Sequence, residues 1–358
     1  PHQSIPFIAR RGSAFLMDCP VCGGECVRDA PEILDLLPDI FSPCPDCSGT
    51  VRTKRKPPAD RAIPPVCDCG KRFIDDVFVH CWVIMVDEGV LNETDALKEV
   101  GAPLIHPGFA MDTAPYLPED SLVLLSPDMD QASADRLFRE VPEIRGVIKS
   151  SASIPGITDL DLDGFPDVYE LLAGCDVRAN VFYTQEEPLV IYKQQSLLHI
   201  EFPRGYDPKI INVGVAVRSY EPTTFVDACA GPGTLGILGG LLGVPHVILN
   251  DIWWAAAFWS ACNVHVNRSH LSIGEVTWLQ TYDQMKDQPV VTEPLHVAET
   301  TGDQQIDVYQ GDMFSLPAVL PETVDLTVID LFGKDHREKM DTTVSRWKEL
   351  VGGEIFIP

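Results

Sequence analysis

The last third of the chain alternates short apolar runs with segments of helical periodicity. Five apolar runs predict strands at Phe225–Ala228, Val247–Asn250, Ile306–Tyr309, Leu326–Ile329 and Glu354–Ile357. Helical patterns lie between several of these runs, and strands that alternate with helices form a parallel sheet with crossover connections. We therefore predict that residues 223–358 form one α/β domain.

The middle of the chain, residues 82–222, also mixes the two periodicities. The run SLVLLS predicts a strand at Ser121–Ser126, Gln131–Glu140 has the pattern of a helix, and Gly146–Lys149 predicts another short strand. Apolar and polar residues alternate within Asn180–Val217, which predicts β-hairpins. A second α/β region should therefore precede the last domain.

Residues 15–81 are rich in proline, glycine and cysteine and contain most of the eleven cysteines. The paired cysteines are Cys19 and Cys22, Cys44 and Cys47, and Cys67 and Cys69. Short pairs favour a metal in a reducing compartment over a disulfide framework, and four thiolates satisfy tetrahedral Zn²⁺. The first two pairs are Cys-Pro-X-Cys knuckles separated by 21 residues, which fits a zinc ribbon. How the three pairs divide into sites stays open, and Cys26, His80 and Cys81 could build a second site.

Composition and charge reduce the number of functional classes that fit the chain. The chain has 358 residues, 45% of them hydrophobic, and no apolar run long enough to span a membrane, so we expect a cytoplasmic globular protein. Its net charge of −26 disfavours broad binding to nucleic-acid backbones. A basic stretch at Val51–Arg61, extended by Lys71 and Arg72, could still be a docking face for RNA or an acidic protein.

The most informative segment is Phe225-Val-Asp-Ala-Cys-Ala-Gly-Pro-Gly-Thr-Leu-Gly236. An apolar strand ends in Asp227, a glycine turn follows at Gly231 and Gly233, and glycines allow a ligand close to the backbone. Read literally, the three glycines match G-x-G-x-x-G, and Asp251 lies 20 residues after Gly231, as in dinucleotide-binding folds. An acid beside the turn, however, would repel a pyrophosphate and would suit a cationic ligand.

The order of acid, glycine turn and second acid resembles motifs I and II of class I S-adenosyl-L-methionine-dependent methyltransferases. Leu249-Asn-Asp-Ile252, followed by a helix with Asn263 and Asn267, is similar to the equivalent stretch of archaeal and eukaryotic tRNA guanine methyltransferases. The resemblance spans residues 225–267 and implies a Rossmann-like fold, S-adenosyl-L-methionine as cofactor and methyl transfer to an acceptor.

The resemblance also implies roles for individual residues. Asp227 would hold the methionine amino group, and Gly231 and Gly233 would line the methionine moiety. Asp251 would accept the ribose hydroxyls, because a carboxylate can take two hydrogen bonds. Ile252 or Trp253 would then flank the adenine.

Two further acids follow later predicted strands. Asp312 would accept the adenine amine, or alternatively cap a turn before Phe314. Asp330 ends the fourth strand and would orient or deprotonate the acceptor. The sequence Asp330-Leu-Phe-Gly333 departs from the Asn/Asp-Pro-Pro-aromatic box of methyltransferases that act on base amino groups. The polar loop His199–Pro208 could cover the pocket or bind the acceptor.

We therefore expect an α/β protein with a zinc-ribbon module at 15–81, a middle region at 82–222 that could bind the acceptor, and a Rossmann-like domain at 223–358. The expected activity is methyl transfer to RNA, a protein or a small molecule. An NAD-dependent oxidoreductase and a non-catalytic zinc-ribbon adaptor with a ligand-sensing domain remain alternatives. Methyltransferase sheets of this class usually have seven strands, so either two are missing or the middle region supplies them.

Overall fold

The computed structural model describes residues 18–157, 165–331 and 337–358. Residues 15–17 of the predicted cysteine-rich module and Gly333 lie outside the described residues. Within these ranges, no helix combines the length and the apolar character that a bilayer crossing requires.

The first half of the described chain contains a mixed sheet and a hairpin. Its helices are α1 (Ala30–Leu36), α2 (Ile74–Asp87) and α3 (Gln131–Glu140). Its strands are β1 (Arg72–Phe73), β2 (Ala102–Ile105), β3 (Tyr116–Leu117), β4 (Leu122–Ser126), β5 (Ile144–Lys149), β6 (Glu170–Gly174), β7 (Val177–Phe182) and β8 (Leu189–Gln194). Strands β2, β4, β5 and β6 form one sheet in that order, and β7 pairs with β8 in an antiparallel hairpin. The predicted helix α3 and the strands at β4 and β5 are confirmed.

The second half contains the larger sheet. Its helices are α4 (Pro208–Tyr220), α5 (Thr234–Leu241), α6 (Trp254–Val266), α7 (Tyr282–Lys286) and α8 (Arg337–Leu350). Its strands are β9 (Thr224–Asp227), β10 (His246–Asp251), β11 (Ile273–Trp278), β12 (Leu295–Gly302), β13 (Gln305–Gln310), β14 (Leu326–Val328) and β15 (Glu354–Phe356).

The larger sheet has the Rossmann-like arrangement that was expected. Its order is β11-β12-β13-β10-β9-β14-β15, and the five strands from β13 to β15 are parallel. These five are the predicted strands, which are confirmed. The order changes direction at β9, where consecutive parallel strands lie on opposite sides, and such switch points form ligand crevices.

The remaining two strands correct the expectation about sheet completion. They are β11 and β12, an antiparallel ribbon at the edge next to β13. The sheet is thus completed by residues 273–302, and not by the middle region. Strand β11 is an edge strand with no fully buried residue, so it lacks the apolar pattern that predicts a strand.

The predicted hairpins within Asn180–Val217 are wrong in their second part. The first part of this range contains strand β8, but Pro208–Tyr220 is helix α4. The Asp207 side chain caps this helix by accepting hydrogen bonds from the backbone of Lys209 and Ile210, and proline is favoured in the first helical turn. The buried residues of this segment recur at helical spacing, so a helix buries them on one face, and the apparent alternation of apolar and polar residues does not form a strand.

The free edge of β8 is covered by side chains of α6. Asn263 accepts a hydrogen bond from the Tyr192 amide at 2.7 Å and donates to the Tyr192 carbonyl at 2.9 Å. Asn267 makes the same pair of bonds to Val190. Four helical residues rise about 6 Å and two strand residues about 6.6 Å, so the two asparagines match alternate positions of the strand. The hairpin is thereby fixed to the larger sheet.

Candidate functional site

A cavity of about 460 Å³ lies at the carboxyl edge of the parallel strands. Four acids at the ends of different strands line it: Asp227 is the last residue of β9, Asp251 is the last of β10, and Asp312 and Asp330 follow β13 and β14. Gly231 and Ile252 line it as well. Every predicted cofactor or catalytic residue therefore lies at one cavity, except Gly233.

The two glycines of the turn have different surroundings. Both have left-handed backbones, with φ of +53° at Gly231 and +89° at Gly233. A Cβ on Gly231 would meet nothing within 4 Å, so this backbone is open to the cavity. A Cβ on Gly233 would lie 2.6 Å from Ser260 Oγ on α6. The turn is therefore packed against α6 at Gly233, which is not among the described residues lining the cavity. Its contact with the methionine moiety stays a prediction.

Asp227 is the most perturbed acid of the site. Its side chain is almost fully buried, and Oδ2 accepts a hydrogen bond from the Gly236 amide at 2.9 Å. Oδ1 is buried without a hydrogen-bond partner among the described residues. Burial, together with the nearby charge of Asp330, raises the Asp227 pKa to about 8. The cavity thus presents a buried acceptor that a hydrogen-bonding cation would satisfy.

Asp251 connects the glycine turn to the start of α6. One carboxylate oxygen accepts from the Gly231 amide and the other from the Trp253 amide, each at 2.9 Å. Burial raises the Asp251 pKa, while these two hydrogen bonds act in the opposite direction. Each oxygen keeps a lone pair for a ligand hydroxyl, and the bonds hold the carboxylate in one orientation.

Asp312 has the capping role that the sequence left open. Its Oδ1 accepts from the Phe314 amide at 2.7 Å. The same residue lines the cavity, and the cap uses only Oδ1 of its carboxylate. The capping and ligand-binding interpretations are therefore compatible.

Asp330 is paired with a lysine that sequence reasoning missed. Lys209 Nζ lies 2.7 Å from Asp330 Oδ2, and both residues line the cavity. Lys209 stands in the first turn of α4, where a hairpin was predicted. The sequence Asp207-Pro208 before it is a helix-start signal and could have located this residue.

The far wall of the cavity comes from the chain around β8. Lys193 on β8 is buried and ion-paired with Glu201, and burial lowers the Lys193 pKa. His199, Glu201 and Asp207 of the predicted covering loop line the cavity, whereas Tyr206 is 63% exposed.

The cavity has an acidic lining. Among the described residues that line it, six carry carboxylates, two are lysines and one is a histidine. Both lysines are already paired with lining carboxylates. Such a lining opposes a pyrophosphate, which carries negative charge, and attracts a cationic ligand.

The cysteines form two groups that the ribbon spacing did not predict. Within each group the four Sγ atoms lie within 4.8 Å of one another. The first group is Cys19, Cys22, Cys26 and Cys175, and the second is Cys44, Cys47, Cys67 and Cys69. The knuckles Cys19/Cys22 and Cys44/Cys47 therefore do not share a site, and His80 and Cys81 belong to neither group.

Most basic side chains of the predicted docking face form ion pairs or hydrogen bonds within the protein. Arg52, Lys54 and Arg61 are ion-paired with acids of α2 or its flank. Lys71 donates to backbone carbonyls, and Arg72 is buried in a 2.6 Å ion pair with Glu143. These cations neutralise the protein's own acids, which weakens the argument for a polyanion at this face.

Comparison with known proteins returned structural similarities alone. No protein-family model and no curated protein matches the chain. The chain is similar to Trm1 from Pyrococcus horikoshii, solved as a complex with S-adenosyl-L-methionine, at 20% identity and a TM-score of 0.34. That match covers 49% of this chain and 41% of that one. It is similar to P. horikoshii TYW2 in complex with MeSAdo at 15% identity and a TM-score of 0.32, over 65% of each chain.

A putative transferase from Pyrococcus horikoshii is similar at 14% identity and a TM-score of 0.38, over 77% of this chain and 76% of that one. The chain thus spans less than half of the Trm1 structure and about two thirds of the TYW2 structure. The functional argument below rests on the residues of this chain.

Proposed function

We propose that the cavity binds S-adenosyl-L-methionine and that the protein is a methyltransferase dependent on it. The observation that carries the proposal is the convergence of four carboxylates, Asp227, Asp251, Asp312 and Asp330, around one open glycine turn. A cavity of this size is typical of cofactor sites. The bound cofactor would supply a methyl group activated by its sulfonium.

Each carboxylate would bind a different part of the cofactor. The unpartnered Oδ1 of Asp227 would accept a hydrogen bond from the cofactor's ammonium group. Asp251, held by two backbone amides, would accept the ribose hydroxyls. Asp312 would accept the adenine amine, with Ile252 against the ring. The open backbone at Gly231 lets the methionine portion approach the turn.

The acceptor end of the cavity would be formed by Asp330 and Lys209. Methyl transfer is a displacement at carbon, so the protein mainly has to position the acceptor. The Lys209 ammonium holds the Asp330 carboxylate in place, and Asp330 would orient the acceptor or take its proton. RNA, a protein and a small molecule remain acceptor classes. A protein or a small molecule is favoured, because Arg52, Lys54 and Arg61 of the predicted RNA-docking face are paired with acids of this protein.

We also propose that Cys44, Cys47, Cys67 and Cys69 bind a zinc ion. Cys44 and Cys67 Sγ atoms are 3.7 Å apart and those of Cys47 and Cys69 3.5 Å. Four sulfurs at about 2.3 Å from one zinc ion lie about 3.8 Å from each other. This segment buries few apolar side chains, so the ion would supply folding free energy.

Isothermal titration calorimetry tests the cofactor assignment. The purified protein should bind S-adenosyl-L-methionine and should not bind NADH, because the latter brings a pyrophosphate to an acidic cavity. Preferential binding of NADH, or no binding of S-adenosyl-L-methionine, would contradict the proposal.

The acceptor class can be tested with methyl-labelled cofactor and separated RNA, protein and small-molecule fractions of a cell extract. Label should transfer to one fraction with the wild type and not with Asp330→Ala. Binding without transfer to any fraction would favour the non-catalytic adaptor.

A further inference from the structure

The first cysteine group joins two distant parts of the chain. Cys19, Cys22 and Cys26 lie in the turn before α1, whereas Cys175 lies between β6 and β7. Cys175 Sγ is 3.7 Å from the sulfurs of both Cys19 and Cys26, and the Cys22–Cys26 sulfur separation is 3.1 Å. No knuckle pattern surrounds Cys175, so its participation is visible from the folded chain alone.

The sulfur geometry suits a single ion and not a disulfide. A disulfide requires about 2.05 Å between sulfurs, while tetrahedral zinc requires about 3.8 Å. All eleven cysteines of the chain are free thiols in the structure. Cys19 and Cys175 are nearly fully buried, and their sulfurs lie 3.7 Å from each other. Four converging thiols in a partly buried position form a built donor set for a soft, tetrahedral ion.

The backbone around both ends directs the thiols inward. The Cys19 amide donates to the Gly24 carbonyl and the Gly23 amide to the Cys19 carbonyl, each at 2.8 Å. Gly23 has a φ of +69° and Gly174, immediately before Cys175, a φ of +71°. Glycine adopts these left-handed conformations at little cost, so two tight turns present the four sulfurs to one point.

The segment that follows the first knuckle packs on the β7–β8 hairpin and on the end of α6. The Arg28 amide donates to the Tyr192 hydroxyl of β8 at 3.0 Å, and Asp29 forms an ion pair with Arg268 after α6. Ala30 and Ile33 of α1 are buried in the same core as β8 and α6. The first cysteine group therefore lies where this segment meets the hairpin that carries Lys193 to the cavity.

We propose that Cys19, Cys22, Cys26 and Cys175 bind a second zinc ion, which fastens the N-terminal segment to the β7–β8 hairpin. The two zinc sites then differ in purpose. The site that includes Cys175 closes a long loop of the chain and stabilises the wall of the cavity. The site formed by Cys44, Cys47, Cys67 and Cys69 stabilises the fold of the cysteine-rich segment. The assignment does not depend on the proposed methyltransferase activity.

Metal analysis of the full-length protein tests the ligand set. Wild type, purified without chelators, should contain two zinc ions per chain, one for each cysteine group. Cys175→Ser and Cys67→Ser should each contain one. Cys81→Ser, a buried cysteine outside both groups, should retain two. Retention of the full wild-type zinc content by Cys175→Ser, or iron in place of zinc, would overturn the proposal.

A matched pair of exposed ligands separates binding from misfolding, because Cys22 and Cys69 are both exposed. Cys22→Ser and Cys69→Ser should each lose one ion. Only Cys22→Ser should also increase amide hydrogen exchange several-fold in Val177–Gln194, since only its ion is attached to the hairpin. Equal exchange in the hairpin of both variants would refute the fastening role, whatever their cofactor affinity.

Discussion

The pH dependence of cofactor binding is the sharpest test of the site, because the raised pKa of Asp227 brings its ionisation close to neutral pH. Burial and the charge of Asp330 raise the Asp227 pKa to about 8 in the ligand-free protein. At pH 7 about one tenth of the molecules, and at pH 6 about one hundredth, would therefore carry the carboxylate that a cation requires. Below its pKa, binding must be coupled to loss of this proton.

The expected magnitude follows from these fractions. The affinity for S-adenosyl-L-methionine should increase about eightfold between pH 6 and pH 7. The increase falls slightly short of tenfold because Asp227 is already partly ionised at pH 7 and because the ligand's own amine, with a pKa of about 8, begins to lose its proton. Calorimetry in two buffers of different ionisation enthalpy should detect release of nearly one proton on binding at pH 7.

Two variants provide the controls. Asp227→Asn keeps the acceptor for the Gly236 amide but cannot ionise, so its weaker affinity should be nearly constant over the same interval. Asp251 keeps its own raised pKa in this variant, and the difference from wild type therefore isolates Asp227. Asp330→Asn removes a charge that raises the Asp227 pKa and should move the midpoint to lower pH. An affinity that is constant with pH in the wild type would refute the reasoning.

The remaining predictions concern the glycine turn and its support. Gly231→Ala and Gly243→Ala both place a side chain at a left-handed, open position, so each should lose about 1–2 kcal/mol of unfolding free energy in urea titrations. Only Gly231→Ala should weaken cofactor binding, and equal affinities would contradict the assigned turn. Asn263→Asp and Asn267→Asp each remove the donor to β8 and should destabilise the protein by about 1–3 kcal/mol. Asn263 also donates to the Pro232 carbonyl of the turn at 2.9 Å. Only Asn263→Asp should therefore lower cofactor affinity at pH values where the protein remains folded.

The local order of residues determined the central part of the site. Strand, acid, glycine turn and helix follow one another within Phe225–Gly236, and adjacent residues remain adjacent in the fold. Because parallel strands end at one edge, the acids at the ends of β9, β10, β13 and β14 also had to meet there. The sequence alone was therefore sufficient to place Asp227, Asp251, Asp312 and Asp330 around one cavity.

Contacts between distant segments were decided by tertiary packing. The Cys19 sulfur lies 3.7 Å from that of Cys175, 156 residues away, and no spacing rule connects them. Lys209 reached Asp330 only because α4 is a helix. Three short cysteine pairs can combine into four-sulfur metal sites in more than one way, and several kinds of contact can cover the edge of a hairpin. Which pairing forms depends on which surfaces the whole chain buries together, and that is a property of the folded protein.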